Sequence, residues 1–261
     1  MKKRLTAERR NEIAQLLLKN GNMKASSLAE HFGVSTETIR KDLIYLESQG
    51  IAQKSYGGAI ASSELLLERP IAQKEMERME IKTAIAERAA SMIPRNGVIF
   101  LDAGSTTYAL ARLLRLREDL TVFTNSIMVL NILSDSANQV YALGGRVRGS
   151  SKGIVGAWAT QAISSLHFDL AFLGSDGFRD LSGPSCVSYE EAEVKRAVLK
   201  SSSQTVVLSD HTKFLSNSLF QFADWSQLTA LVTDRREAPD IKSLAEKIQP
   251  GCKCHMCLNM L

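Results

Sequence analysis

Apolar positions in the first sixty residues recur at helical intervals and mark three short helices. From about Ala7 to Lys19, Ile13, Leu16 and Leu17 share one side; between Ala25 and Phe32, Leu28 and Phe32 stand at i and i+4. From Ser35 to about Ser48, Ile39, Leu43 and Leu46 stand at i, i+4 and i+7, one stripe at 3.6 residues per turn. Three such stripes predict a small shared core. Gly33-Val34 supplies a tight turn between the second and third helices, so the pair reads as helix-turn-helix. After Gly50 the run Ile51 to Gly58 predicts a two-stranded wing, with Gly57-Gly58 allowing a backbone turn that other residues resist.

The period then changes. Ala61 to Pro70 mixes small, charged and breaker residues, and Ile71 to Met92 turns helical with Pro70 at its start. Beyond this, short β-rich runs alternate with helical patterns: Val98–Leu101, Leu120–Phe123, Gln139–Leu143, Leu170–Leu173, Thr205–Leu208 and Leu228–Val232. Strand and helix in alternation predict a mostly parallel sheet with helices on both faces. The expected organisation is a helical module over 1–60, a linker over 61–74 and an α/β domain over 75–261.

The polar side of the third helix carries the first candidate chemistry. Ser35 is a favoured N-cap, which places Thr36, Thr38, Arg40 and Lys41 in the first two turns, where recognition helices touch DNA. Lys54 and Tyr56 on the wing are placed to reach the DNA backbone, and Arg9, Arg10, Lys24, Lys41 and Lys54 are candidate phosphate contacts. A protein-binding three-helix module is the competing reading. Charge distribution favours DNA: residues 1–57 hold ten Lys or Arg and six Asp or Glu, which accounts for the whole chain's net +4.

In open α/β sheets ligands bind beyond the carboxyl ends of the strands. After the first strand, Asp102-Ala-Gly104-Ser105-Thr106-Thr107 leads into a helix over Tyr108–Leu114, where free N–H groups and hydroxyls suit an anion; an ordinary helix cap is the alternative. Neither the nucleotide P-loop spacing nor Gly-x-Gly-x-x-Gly is present. Further candidates are Asn125 and Ser126 after the second strand, Gly144 after the third, and Asp176 after the fourth. Glu191 and Lys195, at i and i+4, pair with each other or reach a polyol. Asp210 and Lys213 follow the fifth strand, as ligand contacts or a charged surface turn.

Length, cysteines and hydropathy narrow the classes. A chain of 261 residues leaves about 200 for a second core of ordinary domain size. No apolar run approaches the ~18 residues that a membrane span requires, and Met1 to Glu8 has basic residues with no apolar stretch behind them, so a cytoplasmic protein without membrane contact is expected. Cys186 reads as an ordinary thiol. Cys252, Cys254, His255 and Cys257 are too compressed for a usual structural zinc site, and an exposed tail is expected there. No metal or cofactor is expected.

Residues Arg9, Ile13 and Leu17, then Ser35, Thr38, Ile39, Arg40, Lys41, Asp42 and Leu43, resemble the N-terminal signature of the DeoR family of bacterial sugar-operon regulators. The later turns resemble that family's effector domain: Asp-Ala-Gly-Ser-Thr-Thr at 102–107, Thr-Asn-Ser at 124–126, Leu-Gly-Gly at 143–145, Leu-Gly-Ser-Asp-Gly at 173–177, Glu-Ala-Glu-Val-Lys at 191–195 and Asp-His-Thr-Lys at 210–213. The resemblance covers roughly residues 5 to 235. It implies a winged helix-turn-helix followed by a mostly parallel α/β effector domain resembling sugar-phosphate isomerases. It also implies a repressor that binds double-stranded operator DNA and responds to a phosphorylated sugar. Carried over with it are phosphate contacts from Gly104 to Thr107, polyol or phosphate contacts from Asn125 and Ser126, and closure or polar contacts from Asp102, Glu191, Asp210 and Lys213. The segment Gly183–Ser188 departs from the Thr-containing version expected there. A ligand that biases paired DNA modules calls for a homo-oligomer, a dimer or tetramer. The alternative is a sugar-phosphate isomerase with an added helical module, with Glu191 or Asp102 as general base.

Overall fold

The computed structural model describes residues 6–20, 22–48, 52–55, 57–61, 70–178, 182–216, 218–234 and 253–256. They form two compact units, Met1–Glu68 and Arg69–Leu261.

In the first unit the three apolar stripes meet. Helices α1 (Thr6–Asn20), α2 (Ala25–Phe32) and α3 (Thr36–Ser48) bury Ile13, Leu17, Leu28, Ile39 and Leu46 completely, with Phe32 and Leu43 nearly so. Each such side chain contributes about 1.5–3 kcal/mol by leaving water. Gly33 ends α2 in the left-handed region (φ +63°) and its N–H reaches back to the helix carbonyls, which turns the chain sharply into α3. Strands β1 (Asn22–Lys24), β2 (Ala52–Ser55) and β3 (Gly58–Ala61) form an antiparallel sheet in the order β1-β3-β2. The wing is thus a three-stranded sheet rather than the hairpin expected over 51–58. Gly57 takes φ +77° at its turn, whereas Gly58 is needed because a Cβ there would strike the Met23 carbonyl across the β1–β3 pair.

The second unit begins with α4 (Ile71–Met76) and α5 (Met79–Ala90). They replace the single helix expected over 71–92, because Arg78 adopts a left-handed conformation (φ +52°) between them. The chain continues through β4 (Val98–Leu101), α6 (Ser105–Leu114), β5 (Thr121–Thr124), α7 (Ile127–Leu133), β6 (Gln139–Ala142), β7 (Arg146–Val147), β8 (Ile154–Val155) and α8 (Ala157–Ser164). There follow β9 (Phe168–Gly174), β10 (Ser185–Cys186), α9 (Tyr189–Lys200), β11 (Ser202–Leu208), β12 (Phe220–Gln221), β13 (Ala230–Thr233) and β14 (Lys253–Met256).

Seven of these strands make one parallel sheet in the order β14-β13-β11-β9-β4-β5-β6. Alternation along each strand serves two cores. Ile99, Leu101, Leu170 and Phe172 face α5, α6 and α7, while Phe100, Ala171 and Leu173 face α8 and α9. Lys253–Met256, within the segment expected as an exposed tail, pairs with β13, and its backbone groups complete the open edge of that strand. Cys254 and His255 therefore lie in a strand, while Cys252 and Cys257 fall outside the described residues.

From β4 the chain winds outward through β5 and β6, then returns to place β9 on the other side of β4. The reversal makes β4 and β9 neighbours across a topological switch point. At such a point the loops leaving two adjacent strands diverge and open a crevice.

Candidate effector pocket and DNA-binding face

Two residues join the carboxyl ends of β4 and β9. Asp102, directly after β4 and 2 % exposed, accepts the backbone N–H of Gly174 from the end of β9 at 3.0 Å. Lys195 on α9 forms an ion pair with the same carboxylate oxygen and donates to the Gly174 carbonyl at 3.0 Å. Burial alone would lower the lysine pKa, but the Asp102 carboxylate, assisted by neighbouring Glu191, raises it above the ordinary value, so the ammonium stays charged.

The turn after Asp102 opens α6 without a side-chain cap, because Gly104 is the N-cap residue. By contrast, Ser126 caps α7 by accepting the Val129 N–H, and Ser188 caps α9 by accepting the Glu191 N–H. The first-turn amides of α6 thus receive no side-chain acceptor from the N-cap residue, and they stand at the positive end of the helix dipole. Gly104 itself is extended (φ −172°), a conformation open to any residue, although a Cβ there would stand 3.2 Å from the Thr107 hydroxyl oxygen. Thr107 is fully buried and its hydroxyl donates to the Asp102 and Gly104 carbonyls, so it shapes the turn. Ser105 and Thr106 occupy the first positions of the helix.

Asn125 ties the neighbouring turns together. Its amide oxygen accepts the Ala103 N–H at 3.1 Å and its amide nitrogen donates to the Ile154 carbonyl at 3.3 Å. Close packing brings the loop after β7 over the same place: a Cβ on Gly153 would lie 2.9 Å from the Ala103 Cβ. This loop delivers Arg148, which pairs with Glu191 at 2.6 Å in a largely buried position. Glu191 and Lys195 are therefore not partners of each other, although helical spacing allowed it; each turns to a separate strand-end residue.

The remaining candidates spread along the carboxyl ends. Asp176, just beyond Gly174, binds the Lys74 ammonium from α4 at 2.9 Å and the Val187 N–H at 3.2 Å. Burial works to raise its pKa, but Lys74, with Lys213 and Lys195, lowers it below the usual carboxylate value. Asp210 caps the short 3-10 helix His211–Leu215 through Thr212 and is likewise lowered, burial opposing and the Thr212 hydrogen bonds prevailing. Lys213, on that turn, is one of the charges acting on both carboxyls. Gly144 lies outside this group: it is exposed at the end of β6, two strands from β4, with open space where a Cβ would stand. Its neighbour Gly145 is the constrained one, at φ +151° with a Cβ position 2.7 Å from the Val155 carbonyl.

Sequence reading missed Arg148, Lys74 and Lys82. Lys82 left a trace, since it shares the buried stripe of α5 with Ile85, Ala86 and Ala89. Its ammonium donates to the Lys74 and Glu77 carbonyls, and desolvation lowers its pKa despite nearby Asp210. In the divergent segment 183–188, Ser185 and Cys186 pair with β12, and Cys186 is buried, its thiol pushed well up by desolvation. Among the described residues no cluster of three or more His, Cys, Asp or Glu is arranged to hold a metal.

In the first unit the Ser35 side chain accepts the Thr38 N–H at 3.2 Å and meets the Thr38 hydroxyl at 2.9 Å, so both residues build the start of α3. Thr36, Arg40, Lys41 and Ile44 are exposed on the face opposite the buried stripe. Asp42 is 1 % exposed and takes the Arg9 and Arg10 guanidinium groups at 2.7 and 2.8 Å. Arg10 also lies 4.0 Å above the Tyr45 ring. Arg9 and Arg10, expected as phosphate contacts, thus both neutralise a buried carboxylate. The side chain of Lys54 and all of Tyr56 lie outside the described residues.

Residues 9–64 match the DeoR-like helix-turn-helix domain and residues 77–235 the DeoR C terminal sensor domain. The chain belongs to the DeoR family of transcriptional regulators. It is 34 % identical to the HTH-type transcriptional regulator GlpR of Haloferax volcanii over 88 % of this chain and 90 % of the relative. The glycerol-3-phosphate regulon repressor of Escherichia coli is 31 % identical, covering 87 % and 90 %, and the lactose phosphotransferase system repressor of Staphylococcus aureus 31 %, covering 93 % and 97 %. Among solved structures, ribose 5-phosphate isomerase A of Methanocaldococcus jannaschii aligns at 17 % identity and TM-score 0.39, covering 53 % of this chain and 55 % of that one. Pyrococcus horikoshii initiation factor eIF-2B aligns at 14 % and 0.43, covering 88 % and 90 %. At such scores neither likeness bears on what this chain binds. Its DeoR membership makes it a DNA-binding regulator, and among the described residues no helix is long and apolar enough to cross a membrane.

Proposed function

We propose that the chain is a cytoplasmic repressor of a carbohydrate-utilisation operon whose operator affinity falls when a phosphorylated sugar occupies the switch-point crevice. The uncapped first turn of α6 beside the Asp102–Lys195 pair carries this reading: amides and dipole suit a phosphate, and the adjoining carboxylates suit hydroxyls. The repressors named above for a glycerol-3-phosphate regulon and a lactose phosphotransferase system support the same ligand class. Ser105 and Thr106 with the α6 amides take the phosphate, while Asp176 and Glu191 meet the polyol. On α3, Thr36, Arg40 and Lys41 read or grip the operator, and exposed Ile44 offers an apolar surface to a thymine methyl. Two copies would present two such helices to successive major-groove turns.

The same site does not favour catalysis as its role. A general base needs a carboxylate free to take a proton, and Asp102 is held by Lys195 and Gly174 while Glu191 is held by Arg148. The deciding experiment is a gel shift of the chain's own promoter region, titrated with glycerol 3-phosphate, fructose 6-phosphate and glucose 6-phosphate, alongside thermal shifts with the same compounds. Weakened DNA binding with thermal stabilisation is expected from one of them. Turnover of such a sugar without promoter binding would sink the reading. Thr106→Ala should abolish the response and leave DNA binding intact.

A further inference from the structure

Two polar anchors of α4 end on turns at the carboxyl ends of the strands. The Ile71 N–H donates to the Ser150 carbonyl at 2.9 Å, and Ser150 belongs to the loop that carries Arg148 and packs Gly153 over Ala103. The Lys74 ammonium donates to Asp176 at 2.9 Å, two residues beyond the Gly174 that Asp102 and Lys195 hold. From behind, buried Lys82 donates to the Glu77 carbonyl at 2.7 Å and to that of Lys74, which satisfies carbonyls at the end of the helix. α4 also packs on α6, whose first turn has no side-chain cap.

A helix of six residues is far below the ~12–15 at which an isolated helix becomes marginal, so α4 depends on these anchors. In sequence it is also the first element of the unit after the DNA-binding module.

We propose that Lys74 is the positioning residue that couples the pocket to DNA binding: a hydroxyl of the bound sugar phosphate competes with its ammonium for Asp176 and so loosens α4. The proposal rests on the regulatory reading above. The physical requirement is a differential interaction, since a ligand shifts an equilibrium only by preferring one state. Asp176 meets it because one carboxylate oxygen has two suitable partners, the ammonium or a ligand hydroxyl. The ionised state of that carboxylate, maintained by Lys74 and Lys213, makes it a strong acceptor for either. Reciprocity then follows: if the sugar phosphate weakens the anchor, weakening the anchor by mutation must favour the sugar phosphate.

The test uses full-length protein, promoter-DNA affinity, and calorimetric affinity for glycerol 3-phosphate, fructose 6-phosphate and glucose 6-phosphate. Lys74→Met keeps the aliphatic stem and removes the charge. Without any sugar phosphate it should bind promoter DNA about fivefold or more weakly, and it should bind the responsive compound more tightly by a comparable factor. Lys74→Arg should stay near wild type in both. Weaker binding of the compound by Lys74→Met would make Lys74 a direct ligand contact and overturn the proposal. A lowered melting temperature with both affinities unchanged would make it merely structural. If wild-type DNA binding responds to none of the three compounds while the Lys74→Met effect on DNA remains, the regulatory reading fails and the anchor's link to DNA stands. Loss of both overturns both.

Discussion

Lys195 joins the two strands of the switch point by holding the Asp102 carboxylate after β4 and the Gly174 carbonyl at the end of β9. The pair is almost wholly buried, with side chains 5 % and 3 % exposed. Lys195→Met would leave Asp102 as an uncompensated buried charge, at a cost of about 3–5 kcal/mol. Urea unfolding should show this as a lowered midpoint, with much of the loss recovered in the double variant Lys195→Met, Asp102→Asn. Independent, additive losses would mean that the two residues do not act as a pair.

A second buried carboxylate holds the DNA-binding unit together. Asp42→Ala frees the Arg9 and Arg10 guanidinium groups from their partner between α1 and α3, and should destabilise this unit by about 3–5 kcal/mol. Promoter binding should be lost together with helical circular dichroism. Loss of DNA binding with unchanged unfolding would instead place Asp42 at the DNA.

Neighbouring residues on α3 should separate stability from recognition. Ser35→Ala removes the hydrogen bond to the Thr38 N–H and should lower stability by about 1 kcal/mol. Arg40→Ala removes an exposed side chain whose ion pair with Glu37 spans 3.7 Å, and should change stability by less than about 0.5 kcal/mol while weakening promoter binding. Equal effects of both on unfolding would remove Arg40 from the DNA-facing set.

Adjacent glycines should behave oppositely. Gly145→Ala forces a side chain into the φ +151° conformation and against the Val155 carbonyl, so a loss of about 1–3 kcal/mol is expected. Gly144→Ala meets nothing and should leave the melting temperature unchanged. An altered response to sugar phosphate in Gly144→Ala, with wild-type stability, would return that residue to the effector site.

Asp176 should contribute a specific acid dependence. Its folded pKa lies below the ordinary carboxylate value, so its stabilising contribution is complete above the unfolded value and is lost as pH falls through the folded one. Asp176→Asn should therefore flatten stability against pH below about 4 and leave its slope near neutrality unchanged. An identical acid slope in both proteins would show that Lys74 does not hold this carboxylate ionised.

Local patterns carried much of this architecture. Ile39, Leu43 and Leu46 announced a buried stripe by spacing alone, and they are buried in α3. Strands β4, β9, β11 and β13 stood out because residues buried on both faces form continuous apolar runs, whereas β5 and the mostly exposed edge strand β6 stood out by their β-branched and aromatic residues. The seventh, Lys253–Met256, has no such run, and only pairing with β13 defines it. Similarly, β1 is three polar or flexible residues made into a strand by Gly58 lying close across from it.

The sequence alone determined the helical and strand periods, the capping serine of α3, the family, and the turns that would hold polar residues. Those are short-range properties, fixed by spacing within one element. Tertiary structure decided the partners: Asp42 with Arg9 and Arg10, Asp102 with Lys195, Glu191 with Arg148, and Asp176 with Lys74. Each pair joins residues on different elements, and a charge shows no preference for a partner until folding removes it from water. Burial then makes an unpaired charge costly, and the chain's reversal at β4 and β9 sets which opposite charge is within reach.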